Sequence, residues 1–535
     1  MVNRKTYFFY TLSIKKSNLT FMGGVTYQSW QNNGVSIDGE GYSSNTIETL
    51  NAAGIWKNVG TFISEHSLLS YLGRVQYDYD SKYLFSATFR RDGSSRFGKN
   101  NRFADFPSLQ VGWKFSEEPF LEFAKSWLSL GKVRATYGIT GNESIGNYES
   151  QGSYGVGYKY MNLSGIAPTG LFNPNLKWET TYSSNFGLDL YLFDNRVELE
   201  ADYYTKNTKD LLFKVKLPQT SGFSEMPSNL GDIENKGFEL QLTVRPVMTS
   251  QFQWTVSGNI AFNRNKVMKL PENKDIFEGP IIIRTGEEVG TFYGWLMNGV
   301  FPTDQDNRFY PKGHALEGQQ VKDPNYTGTV VQLTNGLNGA AFKGGDVWFQ
   351  DFDKNGIIDE NDRTIIGNAS PNFFGGISNS FSYKGFKLDI YISYVNGNDI
   401  FSNFRKGTES MIFSGNQGIA VDRRWRKPGD ITDVPLAIGT DPRQNSRNST
   451  RWLEDGSYVK LRNVTLQYTI PQQITRKVGL NKVDIMVQGA NLLTFSNFRG
   501  FDPEVNMSDS NFGAGIDNGG YPTARSFNFG INLEF

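Results

Sequence analysis

Cysteine is absent from all 535 residues, which excludes disulfide staples, thiolate metal sites and cysteine nucleophiles. Histidine is nearly absent. Only His66 and His314 occur, far apart and without a supporting pattern, so both read as surface-loop residues and neither a Ser-His-Asp triad nor a histidine-rich metal centre is expected. Neither charge sign is in excess: Lys+Arg is 54 and Asp+Glu is 54. No net field therefore draws nucleic acid or an anionic membrane surface. A run of about 18 apolar residues is missing, so no transmembrane helix is expected. The opening stretch, MVNRKTYFFYTLSIKK, lacks an apolar core followed by a small-residue cleavage site, and no signal peptide is expected. Phosphate loops, paired carboxylates at a recognisable spacing and nucleophile motifs are also missing; the chain is not expected to be an enzyme.

What is present is unusual. There are 57 Gly, 26 Tyr, 41 Phe and 10 Trp, and aromatics reach 14% while all hydrophobics reach only 38%. The dominant period is two. In the last thirteen residues, TARSFNFGINLEF, Phe527, Phe529, Ile531, Leu533 and Phe535 share one face, and Ser526, Asn528, Gly530, Asn532 and Glu534 the other. In VELEADYY, Val197, Leu199, Ala201 and Tyr203 oppose Glu198, Glu200, Asp202 and Tyr204. These are half-apolar β-strands.

A soluble sandwich and a membrane barrel both produce such alternation. In the sandwich the apolar face points inward; in the barrel it points at lipid. Three features favour the barrel. The alternating runs are about 10–13 residues long, enough to cross a bilayer when tilted. Strands pair through very short turns on one side, as at Asp194-Asn195, Thr249-Ser250 and Lys384-Gly385, while connections such as 207–235, 397–456 and 494–521 are long. Short periplasmic turns with long extracellular loops are the asymmetry of outer-membrane barrels. Finally, the aromatic Phe535 ends an alternating strand. Strands are expected near 5–15, 18–30, 68–79, 83–92, 107–116, 131–140, 178–191, 195–206, 237–247, 251–263, 372–384, 385–396, 457–470, 482–493 and 523–535. That makes about 15 crossings, or 17 if GTFYGWLMNGVF (290–301) is one of an extra pair. Region 264–371 then lies outside the cell, and a phase change near Asn463 predicts a β-bulge.

Within that region, residues 351–362 read DFDKNGIIDEND. Asp351, Asp353, Asn355 and Asp359 occupy positions 1, 3, 5 and 9 of a calcium loop, Gly356 occupies position 6, Ile357 offers its carbonyl at position 7, and Asp362 ends the loop. Asp362 stands where a bidentate Glu is usual. The flanks DVWFQ and RTIIGNASPN are not helical, which excludes an EF-hand sensor as a whole. Either Ca2+ is held by these oxygens, or the loop is tied by its own Asp and Asn turns. Two basic runs, 90–102 and 423–430, read as solvated loops, the first because Asp92-Gly93 is a strong turn signal. Tyr154, Tyr158, Tyr160, Trp348 and Phe413 are loop aromatics able to stack on sugar rings.

Several long ordered segments are familiar. They include YLGRVQYDYDSKYLFSATFRRDGSSRFGKNNRFADFPSLQVGWKFSEEPF (71–120), YGITGNESIGNY (137–148), NPNLKWETTYSSNFGLDLYLFDNRVELEADYYTKNTKDLL (173–212), NLGDIENKGFEL (229–240), DFDKNGIIDENDRTIIG (351–367), WLEDGSYVKLRNVTLQY (452–468) and GIDNGGYPTARSFNFGINLEF (515–535). With them the chain resembles the SusC/RagA-type TonB-linked outer-membrane transporters, from about residue 17 onward. The resemblance implies an all-β, antiparallel transmembrane barrel of about 22 strands with a plugged lumen. It also implies uptake of an oligosaccharide or peptide at a Gram-negative outer membrane, a SusD-like surface lipoprotein as lid, and energy from TonB–ExbB–ExbD. Residues 1–535 match the C-terminal barrel portion, without a plug or a TonB-contacting segment. An odd set of strands cannot close antiparallel on itself, so the expectation is one part of a larger barrel embedded in outer-membrane lipid. The competing function is a soluble, calcium-binding, β-rich glycan binder.

Overall fold

Period-two alternation does produce strands, and they are long. The computed structural model describes residues 1–47, 49–161, 163–504 and 513–535. Two compact units make up the chain: 1–195, 199–236 and 268–271 form one, and 196–198, 237–267 and 272–535 the other. The first unit holds β1 (Val2–Ile14), β2 (Ser17–Glu40), β3 (Ile55–Tyr79), β4 (Tyr83–Ser94), β5 (Phe103–Trp113), β6 (Leu128–Asn142), β7 (Glu179–Leu192) and most of β8 (Val197–Lys209). The second holds most of β9 (Asp232–Met248) and β10 (Phe252–Lys269), then β11 (Phe373–Tyr383), β12 (Phe386–Asn396), β13 (Tyr458–Thr469), β14 (Lys482–Ser496) and β15 (Ser526–Glu534). Within each unit each of these strands is hydrogen-bonded to the next in chain order, and pairs such as β1–β2, β2–β3, β11–β12 and β14–β15 run antiparallel.

Tight turns gather at one end of the strands. β11 and β12 meet at Tyr383↔Phe386, leaving only Lys384 (φ 45°) and Gly385 (φ 89°) between them. Two positive φ values in a two-residue loop match the twist of the flanking strands. β1–β2 turns likewise at Lys15-Lys16, and β3–β4 at Asp80 and Ser81, both with positive φ. Two connections at this end are longer, as the expected strand spacing already implied. The β5–β6 link contains the 3-10 turns Phe115–Glu117 and Pro119–Ala124, and the β13–β14 link the short helix Gln472–Thr475.

No long strand crosses between β10 and β11, which pair directly from Phe252↔Tyr383 to Ala261↔Phe374. Among the described residues the long strands therefore number 15 rather than 17. Segment 290–301 folds into small sheets instead: Thr291–Trp295 pairs with Arg363–Asn368, and Met297–Val300 with Val347–Phe349. The bulge near Asn463 is present, since both neighbours of β13 shift register between Leu461 and Asn463.

Side-chain exposure decides between sandwich and barrel. On β15, Phe527, Phe529 and Ile531 are 65%, 79% and 69% exposed. A sandwich would bury that face; a barrel turns it to lipid. The opposite face carries ions. Arg134 on β6 donates both terminal nitrogens to Asp202 of β8 at 2.7 and 2.6 Å and its Nε to Asp189 of β7 at 3.1 Å. Lys132 adds a bond to Asp189 at 3.2 Å.

One buried core lies within the β10–β11 connection, and a smaller cluster of Phe97, Phe106, Leu176 and Trp178 packs at the long-connection end of β5. In the first, Phe301, Phe309, Leu333, Phe342, Val347, Phe349 and Ile358 are all buried. Phe349 lies just before the acidic loop and Ile358 within it.

Candidate metal centre

The loop 351–362 is held at both ends by that core. The strand Val347–Phe349 leads in, a 3-10 turn over Glu360–Asp362 closes it, and Arg363–Asn368 leads out. The flanks are therefore strands and a short turn, not paired helices. Gly356 bends the loop with φ 81°, and a Cβ there would meet Val331 Cγ1 at 2.5 Å. Only glycine suits both the conformation and the space.

Backbone amides organise the acids. Asp351 Oδ2 accepts from Gly356 N–H at 2.8 Å. Asp362 accepts from Phe352 N–H at 2.8 Å and Asp359 N–H at 2.9 Å, one bond to each oxygen. Asp353 Oδ1 accepts from Asn355 N–H at 3.1 Å. These turns bring carboxylate oxygens of Asp351, Asp353 and Asp362 within 4.8 Å of one another. The other sequence candidates have different duties. Asn355 Oδ1 accepts from Ile357 N–H at 2.6 Å, and Asp359 Oδ1 accepts from Asn361 N–H at 2.7 Å as the cap of the 3-10 turn. Ile357 sits in a two-residue strand paired with Thr334.

Three close carboxylates repel one another, and burial makes this worse. Asp362 is completely buried. Its carboxyl is pushed up to about 6, first by burial and then by the charges of Asp351 and Asp353, against the two N–H bonds that favour the anion. Asp351 is raised for the same first reason. Asp351 Oδ1 is buried with no hydrogen-bond partner among the described residues. A hard cation is what such an arrangement lacks: oxygen ligands, surplus negative charge and one orphaned acceptor are the donor set of Ca2+. Asp351, Asp353 and Asp362 are the residues that would hold it, and the loop's own turns leave their oxygens close enough to do so.

The remaining sequence candidates divide. Asp92-Gly93 is not a turn: β4 runs on to Ser94, with Asp92 paired to Ser70 and Ala104 and buried against Arg90. The signal failed because strands on both sides hold the segment extended. In 423–430, Asp430 accepts the N–H groups of Arg426 and Lys427, and Trp425 Nε1 donates to the Pro302 carbonyl at 2.9 Å. Trp348 is half-buried, stacked on Phe301 and tilted against Phe309, each at 5.8 Å. Tyr154, Tyr158 and Tyr160 stand exposed on a hairpin, Gln151–Tyr160 with Leu163–Phe172, and Phe413 is exposed as well. His66 lies on β3, not in a loop; His314 is in a loop and stacks on Tyr310.

Sequence reasoning missed the buried cations beside the loop. Arg363 and Arg447 flank Trp295 at 5.1 and 4.7 Å, and burial pulls Arg447 down to about 10. Arg405 is buried between Glu409 and Glu454, at 2.9 and 2.6 Å. Except for Glu409, four residues from Arg405, their partners lie tens of residues away in sequence, so spacing does not announce them.

Long up-and-down antiparallel strands, apolar faces turned outward and ions on the opposite face define an outer-membrane β-barrel wall. The chain belongs to the TonB dependent receptor-like β-barrel family, whose model matches residues 2–396. It is 35% identical to the TonB-dependent receptor P39 of Formosa agariphila over 97% of this chain and 51% of that protein. Against the TonB-dependent receptor SusC of Bacteroides thetaiotaomicron it is 30% identical over 98% and 49%. Among solved structures, the RagAB peptide transporter superposes with a TM-score of 0.82 at 26% identity, covering 100% of this chain and 55% of that one. The chain spans about half the length of the curated relatives it matches. It is a SusC/RagA-type outer-membrane barrel chain, and the soluble-sandwich alternative is displaced.

Proposed function

We propose that this chain supplies the wall and outer loops of an importer that carries a large nutrient, an oligosaccharide or a peptide, across the outer membrane. The observation that carries the reading is the superposition of the whole chain on a protein described as a peptide transporter, supported by the sequence likeness to SusC. In this reading the tight turns face the periplasm and the long connections, including 264–371, face outward. A SusD-like lipoprotein covers that outer end. TonB–ExbB–ExbD supplies the force that opens the path, and cargo passes along the ion-lined inner face. Labelled oligosaccharides and peptides offered to cells carrying the assembled transporter test this. Uptake of one class, abolished by a protonophore, is expected. Uptake of neither class, or uptake indifferent to the protonophore, overturns it.

Ca2+ at Asp351, Asp353 and Asp362 is part of the proposal. It would neutralise the trio and stiffen a loop that is tied to the core by Phe349 just before it and Ile358 within it. Calorimetric titration of the purified chain is expected to show one saturable site. No heat at millimolar calcium removes the metal and leaves the transport reading standing.

A further inference from the structure

A polar cavity of about 300 Å³ opens beside β3, far from the acidic loop in sequence. Its floor residue His66 is thirteen positions from Tyr79, the tight-turn end of the strand. That is about 43 Å of strand at ~3.3 Å per residue. Even with a tilt of about 40°, the distance exceeds the ~25 Å apolar band of such barrels, so the cavity stands clear of the membrane at the long-connection end.

Its walls are fixed before any ligand arrives. Arg96 donates its Nε to Asn147 Oδ1 at 2.8 Å and its Nη1 to the Glu143 carbonyl at 3.1 Å, and its Nη2 faces His66 Nδ1 at 3.5 Å. A guanidinium has no acceptor, so Nδ1 is the accepting nitrogen and the imidazole proton is assigned to Nε2. The His66 ring lies flat on Trp30, with centroids 4.4 Å apart and 10° between planes. Tyr148 closes the other side. Its hydroxyl oxygen accepts the Glu65 N–H at 2.8 Å and keeps its own proton to donate. Tyr148 has φ 68°, a left-handed conformation that bulky residues rarely adopt. Strain of that kind gathers at ligand clamps.

The chemistry of the lining selects the ligand. Ser29, Ser67 and Gln151 offer donors and acceptors from different sides, and the half-exposed Tyr27 ring offers an apolar face. Arg96 and Glu65 contribute one charge of each sign. Three of the five N–H groups of Arg96 already face acceptors and Glu65 brings the opposite charge into the same lining, so the cavity carries no net positive charge for a sulfate or uronate. A ring with polar edges and an apolar face satisfies such a lining, and about 300 Å³ is the lower end of small-ligand sites. We infer that this cavity binds one uncharged sugar ring of a larger glycan. The ring belongs either to an oligosaccharide cargo or to the carbohydrate of surrounding outer-leaflet lipid. The cargo source rests on the proposed function; the binding itself does not, because it is measured without transport.

The test titrates the purified full chain in detergent micelles by calorimetry. One arm uses neutral gluco-, manno-, galacto- and xylo-oligosaccharides; the other uses the delipidated core oligosaccharide of lipopolysaccharide. Saturable binding is expected in one arm, assigning the source, and is expected to fall at least ten-fold with Tyr148→Phe and with Gln151→Ala. Gln151 is exposed at the foot of the hairpin, so its variant folds even where Tyr148→Phe does not. Absence of binding in both arms, binding confined to sulfated or uronic-acid sugars, or affinity unchanged in the folded variants overturns the inference. Failure of uptake with binding intact overturns only the proposed function.

Discussion

The Gly356 N–H donates to Asp351 Oδ2 at 2.8 Å across the acidic loop, while Asp351 Oδ1 is buried without a partner among the described residues. One oxygen builds the turn and the other is left unpaired, which makes Asp351 the residue on which the proposed calcium site is tested. Asp351→Asn keeps an acceptor for the turn and removes one charge from the trio. Calcium affinity is expected to fall at least ten-fold by titration calorimetry, with the cation-free loop no less stable than wild type. Unchanged affinity would remove Asp351 from the ligand set.

The raised carboxyl of Asp362 sets a pH dependence. A carboxyl held up at about 6 when folded, against 3.8 ordinarily, binds its proton more tightly in the folded state. Stability from this group is therefore present at low pH and is lost as pH rises from about 4 to 6. At 1.36 kcal/mol per unit the loss is about 3 kcal/mol. In chelator, hydrogen exchange of 351–362, corrected for intrinsic rates, is expected to accelerate over that window. Millimolar calcium is expected to flatten the profile above pH 6. A flat profile in chelator would contradict the burial argument.

Gly356→Ala combines a left-handed backbone with a methyl 2.5 Å from Val331 Cγ1. Both terms oppose the substitution, so about 2 kcal/mol of local stability is expected to go. Exchange protection is expected to drop at Leu333 and Ile358, which share the core behind the loop, and to stay unchanged on β15. Protection equal to wild type at Leu333 would mean the loop is not coupled to that core.

Arg405 is the cation of a buried cluster with Glu409 and Glu454. Arg405→Met leaves two buried carboxylates without their counter-charge, a loss of about 3–5 kcal/mol. Local unfolding of 399–409 and 449–455 is expected by limited proteolysis. The triple variant that also carries Glu409→Gln and Glu454→Gln is expected to recover part of the resistance, because it removes the stranded charges. No recovery would assign the damage to lost packing.

How much of this was legible in the sequence follows from what each signal measures. Alternation and short turns report local geometry, so the strands, the Lys384-Gly385 hairpin and the slip beside Asn463 were visible. Exposure is not local: the faces of β15 alternate identically whether Phe529 meets core or lipid. β2 and β3 were seen only near their tight turn, because outside the membrane nothing demands alternation, yet they run for 24 and 25 residues. Tyr293 and Trp295 mimicked a crossing strand, and only the Arg363 stack over both rings explains their apolar spacing. In the acidic loop, spacing nominated Asp351, Asp353, Asn355, Ile357, Asp359 and Asp362 alike; that the carboxylates of Asp351, Asp353 and Asp362 gather while Asp359 Oδ1 caps the 3-10 turn shows only in three dimensions.

The two faces of β15 supply the sharpest test of the wall itself. Phe529 pairs with Val487 and is 79% exposed, and its neighbour Asn528 turns the other way, donating to Gln488 Oε1 at 3.2 Å. If the Phe529 face meets hydrocarbon, Phe529→Arg places a cation in lipid at a cost of about 2–4 kcal/mol near the midplane. Asn528→Arg places the same cation on a polar, hydrated face and costs little. Phe529→Arg is therefore expected to reduce membrane-assembled protein, read by heat-modifiable mobility and protease resistance, while Asn528→Arg assembles like wild type. A sandwich core on the Phe529 side would also reject the arginine, but it would tolerate Phe529→Leu poorly, since a cavity would remain. Lipid fills any such gap, so Phe529→Leu is expected to assemble normally, and that pair of outcomes separates a wall in a bilayer from a folded core.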